Sequence, residues 1–278
     1  MSAAVLGQSG ELRLTLAPRR GRTVAVGQFH EGALQTLRPM YLDDSGQVCY
    51  LIVNPGGACM RGDRYRIEVE LETDARLLLT TQSATKVYRT PEAYAEQRMD
   101  VRLGPGSVLE YVPDPLILYR EADFRQYGTV EMDASATLVM SEIVTPGWAP
   151  GGRLFAYERL RMRNEIRYDG RLLAIDNLVV TPGEAGPGGL GFMEGHTHLG
   201  SLIVVDSRVD DGLIDDIHEI IEAHAGTVVA GLSALDGPGF VIRALADDTA
   251  ELRAVLDEVT ASLRARWFGL APVNLRKY

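Results

Sequence analysis

RYRIEVELE, residues 64–72, alternates without a break. Tyr65, Ile67, Val69 and Leu71 fall on one face and Arg64, Arg66, Glu68 and Glu70 on the other. A period of two marks a β-strand with one buried and one wetted face. Residues 159–168 repeat the pattern. Leu160, Met162, Asn164, Ile166 and Tyr168 point one way, and Arg159, Arg161, Arg163, Glu165 and Arg167 the other. Asp169-Gly170 supplies the positive φ of a tight turn, and Leu172 to Val180 returns as a second strand, which predicts a hairpin.

Further strands are expected at 11–16, 22–30, 48–53, 76–82, 97–103, 107–112, 116–120, 124–132 and 136–145. Turn chemistry separates many of them, as at Asp43-Asp44-Ser45-Gly46, Asn54-Pro55-Gly56-Gly57 and Gly104-Pro105-Gly106. No helical pattern of useful length interrupts them before residue 210. Without crossover helices, neighbouring strands are expected to be mostly antiparallel or to wind through short corners. There is no fixed-period repeat. The pattern fits a layered or a solenoid-like β architecture.

Residues 182–195, PGEAGPGGLGFMEG, are too glycine-rich for a regular element. Beyond them Leu202 to Val205 reads as a buried strand. Leu213, Ile214, Ile217, Ile220 and Ile221 share one face of a helix over 211–225. Strands at 227–235 and 239–245 precede a second amphipathic helix at 249–266, where Asp248 and Glu251 have capping-box spacing. The expected fold is a β-dominated α+β protein: many short strands in layered or β-helix-like sheets, with a small C-terminal βαββα portion carrying two helices. The expected division is a β-rich main domain at 1–181, a Gly-rich loop at 182–198 and the βαββα portion at 199–278, set apart or continuing the main sheet.

The 278 residues are 46% hydrophobic and 24% charged, an ordinary globular composition. The formal charge of −10 argues against a general nucleic-acid binder, which needs Lys and Arg to meet phosphate. Cys49 and Cys59 are the only cysteines and read as two buried thiols. Met1 to Leu16 shows no signal-peptide pattern, and no apolar run approaches about 18 residues, so a soluble cytoplasmic protein is expected. Of the 28 basic residues only Lys86 and Lys277 are lysines, which singles out Lys86 as the one internal ammonium group.

The chain has no G-x-G-x-x-G after a strand and before a helix, no G-x-x-x-x-G-K-[ST] phosphate loop, no G-x-S-x-G elbow and no H-E-x-x-H. His196-Thr197-His198 is the one metal-like pattern. On an extended segment both imidazoles face one side and suit nickel or zinc; otherwise they are two polar residues on a solvent face. A metal-dependent hydrolase built on this pair needs a third ligand and an open position. His218 and His224, in or ending the first helix, read as structural, and His30 ends a strand with no visible partner. Small hydroxyl residues at Thr80 to Thr85 end a buried strand, where they line an opening or satisfy buried backbone groups. Pro113 and Pro115 interrupt the apolar run LEYVPDPLILY at 109–119, which suits a strand edge or a sharp corner.

Taken in order, these stretches resemble the urease accessory family UreD, also called UreH. Pro55-Gly56-Gly57 and Gly62-Asp63 match its glycine corners. Thr81-Gln82-Ser83-Ala84-Thr85-Lys86-Val87-Tyr88-Arg89 matches its TQ-x-ATK-x-YR run, and Leu109-Glu110-Tyr111-Val112-Pro113 its next motif. Gln97, Ser141-Glu142-Ile143 and Arg167 to Arg171 also match in place. Residues 10–180 carry the resemblance, and the rest agrees in layout. The chain departs from the family at Pro146 to Arg153 and at Pro272 to Arg276. The resemblance implies a non-enzymatic accessory protein that binds UreF, recruits the GTPase UreG and docks on apo-urease. It implies no tightly bound cofactor, only nickel as transient cargo passing through an internal channel. A hydrated divalent ion moves through protein only where oxygens replace part of its water, and strong ligands would trap it. On that basis Asp63, Thr81, Ser83, Thr85, Glu110 and Glu142 are the conduit candidates. Lys86, with no lone pair to offer, is expected to pair with a carboxylate or a partner surface. A purely structural adaptor, with nickel travelling elsewhere, is the other expectation.

Overall fold

The computed structural model describes residues 9–183, 188–189 and 191–275. The first eight residues, 184–187 and 190 of the glycine-rich loop, and residues 276–278 lie outside the described residues.

The elements run in the order β1 (Ser9–Arg19), β2 (Arg22–Gly32), β3 (Gln35–Thr36), β4 (Val48–Val53), β5 (Arg64–Leu71), β6 (Arg76–Thr81), β7 (Thr85–Val87), β8 (Ala95–Leu103) and β9 (Val108–Tyr111). Then come β10 (Leu116–Leu118), β11 (Asp123–Met132), β12 (Thr137–Val144), β13 (Arg159–Tyr168), β14 (Arg171–Val180), β15 (His198–Val205), α1 (Asp211–Ala223), β16 (Val229–Ala234), β17 (Gly239–Ala246) and α2 (Thr249–Phe268).

The strands form two sheets, ordered β14-β13-β11-β8-β5-β1-β2 and β16-β17-β15-β12-β9-β6-β4-β3. The chain alternates between them. β4, β6, β9 and β12 lie parallel in the second sheet, while β5, β8, β11 and β13 lie parallel in the first. Each coil thus gives one strand to each sheet, and the winding alternative holds over the antiparallel one through the middle of the chain. Parallel strands ordinarily need a helical crossover; here the facing sheet serves as the return path. Antiparallel pairs close the ends, β1 with β2 and β13 with β14. In the second hairpin Asp169 (φ 48) and Gly170 (φ 72) supply the expected turn.

The alternation seen in sequence is the inward face of this coil. Leu12, Leu14 and Leu16, Tyr65 to Leu71 and Met99 to Leu103 at every second position, and Leu160, Met162 and Ile166 join Leu77, Leu79, Leu109, Leu138 and Met140 in one core between the sheets. The outer face of the second sheet is covered as well. Val139, Ile143, Leu202, Val204 and Ile242 pack against Leu213, Ile217, Leu252, Val255 and Val259 of the helices. The result is a three-layer β/β/α molecule. β12 is buried along its whole length because it lies in the middle layer. β15 hydrogen-bonds to β12, so the C-terminal strands extend the second sheet. Asp210 caps α1 by accepting from the Leu213 amide, Asp248 caps α2, and Gly269 in the left-handed region ends α2. No helix among the described residues is long and apolar enough to cross a membrane.

Candidate functional site

At one end of the inter-sheet core the inward positions stop being apolar. In the first sheet, register places Tyr65, Gln97 and Gln126 side by side on β5, β8 and β11. Asn164 follows on β13, opposite Gly128. A Cβ at residue 128 would stand 2.3 Å from Asn164 Oδ1, so the glycine makes room for that amide. In the second sheet the inward rows that hold Leu77-Leu79 and Leu138-Met140 continue two residues on to Thr81 and Glu142. The corners joining the second sheet to the first close the space with Asn54, Gly57 to Cys59, Thr81 to Lys86 and Pro113-Asp114. The partly open cavity measures about 80 Å³, room for a small cluster of waters.

Glu142 is one buried carboxylate of its wall. Gln126 Nε2 donates to one oxygen and Asn164 Nδ2 to the other, the latter at 3.2 Å. Burial pushes the Glu142 carboxyl above the usual carboxylate range, and the two amide hydrogen bonds pull the other way. A cation brought to this cavity would favour the ionised form. Around the rest of the wall stand hydroxyl and amide oxygens and a second carboxylate, Asp114. Thr81 Oγ1 accepts from the Asp114 amide at 2.8 Å and faces the Asp114 carboxylate at 3.1 Å. Ser83 and Thr85 line the same wall. The wall therefore offers hard oxygen donors and two carboxylates, Glu142 and Asp114, the latter 3.4 Å from Arg253 of α2. Cys59 also lines it, but burial pushes its thiol up to about 12, so it presents a thiol and not a metal-trapping thiolate.

Thr81, Ser83, Thr85 and Glu142 are thus brought together, with Gln82 and Lys86 of the same run on the cavity wall. Asp63 is not on that surface. It is buried behind it, accepting from the Met60 amide at 2.7 Å and the Tyr65 hydroxyl at 2.6 Å, and so fixes the corner carrying Gly62. Gly56 and Gly57 form the preceding turn, where Asn54 accepts from the Gly56 and Gly57 amides.

Glu110 sits on the other face of the second sheet. Its register partners Leu78 and Val139 belong to the outer clusters. There Glu110 pairs with Arg264 of α2, and Gln47 bridges them, donating to Glu110 at 2.9 Å and accepting from Arg264 at 3.0 Å. Arg264 also reaches Asp43 at 2.8 Å and the Ala271 carbonyl at 3.1 Å. It thereby folds the segment after α2 back, and Val273 and Leu275 cover Cys49, Leu51 and Leu78.

His196 and His198 do not line the cavity either. His196 precedes β15, with Nδ1 3.4 Å from Asp247 Oδ2, whereas His198 Nδ1 bonds the Thr197 hydroxyl at 2.8 Å. Burial lowers the His198 imidazole below its usual value. Among the described residues no group of three or more His, Cys, Asp or Glu side chains is placed to hold a metal ion. The third ligand that a hydrolase would require is absent from that set. His224 caps α1 and meets Glu258 of α2 at 2.8 Å, a structural role.

Gln126, Asn164 and Asp114 escaped the sequence reading. The first two had a signal: each is a polar residue on the apolar parity of its strand. Asp114 lay between two prolines, where no periodicity applies.

A family model described as UreD urease accessory protein matches residues 8–277. The chain is 53% identical to the urease accessory protein UreD of Arthrobacter sp. (strain FB24), over 97% of this chain and 94% of that one. It is 50% identical to its counterpart in Paenarthrobacter aurescens (strain TC1), over 100% and 99% of the two chains. With the protein of the same description in Actinomyces naeslundii it shares 48% identity, over 98% and 100%.

Proposed function

The chain belongs to the UreD urease accessory protein family, and from that premise we propose that it is a cytoplasmic scaffold for nickel loading of urease. It binds UreF, recruits the GTPase UreG and docks on apo-urease, and nickel crosses it as transient cargo. The observation that carries this reading is the polar end of the inter-sheet core. Thr81, Ser83, Thr85 and Glu142 meet there around a cavity also lined by the Asp114 carboxylate and the amides of Asn54, Gln97 and Gln126. Oxygen donors replace part of the water of a divalent ion without the grip of a His/Cys cage. Glu142, already hydrogen-bonded to two amides, binds enough to admit the ion and too little to keep it. Lys86 on the same wall repels a cation and suits a partner's carboxylate.

The test is a plug at Ala84, a half-buried residue of the cavity wall. Ala84→Trp is expected to co-elute with UreF as the unaltered chain does, while urease activation falls by roughly tenfold. Full activation by the plugged chain would favour an adaptor with nickel travelling elsewhere. Failure of the unaltered chain to co-elute with UreF would overturn the scaffold itself.

A further inference from the structure

The corner that closes the cavity on its inner side carries an unusual surface on its outer side. Successive coils meet there through short parallel pairings: Cys59 with Val87, Val87 with Leu118, and Tyr119 with Trp148. The backbone bonds are regular, with the Tyr88 amide on Cys59 O at 2.9 Å, Tyr119 on Val87 O at 2.8 Å and Trp148 on Leu118 O at 2.9 Å. Cys59, Val87 and Leu118 point into the core. Period two then turns the next residue of each coil outward, namely Met60, Tyr88, Tyr119 and Trp148. Tyr88 and Tyr119 rings meet edge-on at 4.8 Å between centroids, and Tyr119 and Trp148 at 5.0 Å. Met60 is 47% exposed, Tyr88 41% and Trp148 52%. Gly147 makes the last rung, since at φ 82 a Cβ would stand 2.3 Å from the Leu118 carbonyl oxygen.

A continuous ladder of large apolar side chains in water is costly for a chain acting alone, and Trp and Tyr are the side chains that most often anchor interfaces. Its flank identifies the kind of partner. Arg61, Arg89 and Arg120 each follow a rung, are exposed, and are met by only two carboxylates among the described residues, Glu92 at 3.7 Å from Arg61 and Glu121 at 3.2 Å from both Arg89 and Arg120. This strip is therefore positive on a chain whose formal charge is −10. Ala58 and Lys86, which line the cavity, adjoin Met60 and Tyr88 through the same two corners.

We propose that the Met60-Tyr88-Tyr119-Trp148 ladder with its arginine flank is a docking surface for a protein partner that presents an apolar anchor bordered by acidic side chains. It rests on the scaffold reading and deepens it, because a partner seated there lies beside the corner behind which the cavity is closed. The experiment uses the full chain and the three proposed partners, UreF, UreG and apo-urease, each purified. Binding is measured for the unaltered chain, for Tyr88→Ala/Trp148→Ala, for Arg89→Glu/Arg120→Glu and for Val26→Ala on the distant edge strand β2. The expected result is that one partner binds both double variants roughly tenfold more weakly or worse, while Val26→Ala binds as the unaltered chain does. Raising the salt is expected to weaken the unaltered chain more than the charge-reversed variant. Unchanged melting temperatures exclude a folding defect. If all three partners bind both double variants with full affinity, the docking surface is refuted and the scaffold stands. If none binds the unaltered chain, the scaffold reading falls and takes this surface with it.

Discussion

Replacing Arg264 by Met tests how α2 is anchored. Arg264 and Glu110 are each 2% exposed and pair on the outer face of the second sheet. Met fills much of the arginine volume but leaves Glu110 a buried anion without its cation. Breaking one side of such a pair costs about 3–5 kcal/mol. Loss of the bond to the Ala271 carbonyl adds about 1 kcal/mol. The sum, about 4–6 kcal/mol, is a large part of the roughly 5–15 kcal/mol that holds a domain folded. With a urea m value of about 3 kcal/mol/M, the unfolding midpoint is expected to fall by roughly 1.5 M. Adding Glu110→Leu removes the stranded charge, and the double variant is expected to recover to within about 1 kcal/mol of the unaltered chain. The assay is urea unfolding followed by far-UV circular dichroism. A single variant that unfolds at the normal midpoint, or a double variant no better than the single, would refute the buried-charge reasoning.

Three further outcomes follow from the same geometry. The Glu142 carboxyl is raised by burial, so the stability it permits is fully present below its unfolded value and lost as pH rises through its folded one. Glu142→Gln is therefore expected to gain more stability, relative to the unaltered chain, at pH 8 than at pH 4 in parallel thermal melts; a larger gain at pH 4 would reverse the sign and sink the assignment. Gly147→Ala places a Cβ 2.3 Å from Leu118 O in a left-handed backbone, and the melting temperature is expected to drop by roughly 5 °C, from about 2 kcal/mol of strain. Cys59 is buried and its thiol pushed up to about 12, so a thiol reagent at pH 8 is expected to label it only in urea, with mass spectrometry locating the adduct.

Strands were legible wherever one face meets the core and the other meets water. β5 and β13 alternate in sequence and in burial alike. β4 reads as a continuous apolar run because both its faces are covered, and β12, buried on both faces, breaks its run only at Ser141 and Glu142 after the opening Thr137. The coil was harder to see. Its corners span residues 54–63, 82–94, 112–122 and 145–158, so their lengths differ and no fixed period survives. Two-residue β3 and three-residue β7 are too short for any alternation to show. In the site, polarity within a buried strand pointed equally to Glu142 and Glu110. Parity separates them. Glu142 shares the face of Met140, inside, while Glu110 sits opposite Tyr111 and meets α2. That Arg264, far along the chain, would neutralise Glu110 is a tertiary fact with no local signal. The histidine pair shares a face only on an extended segment, but β15 begins at His198, and the two rings find separate partners.

The most direct test is the nickel content of urease itself. Apo-urease is activated with the accessory proteins and either the unaltered chain or Glu142→Ala, then purified and assayed for bound nickel by atomic absorption. Passage through the polar end of the core predicts that Glu142→Ala still assembles with the same partners and leaves urease largely nickel-free. A full nickel load delivered by Glu142→Ala would contradict it.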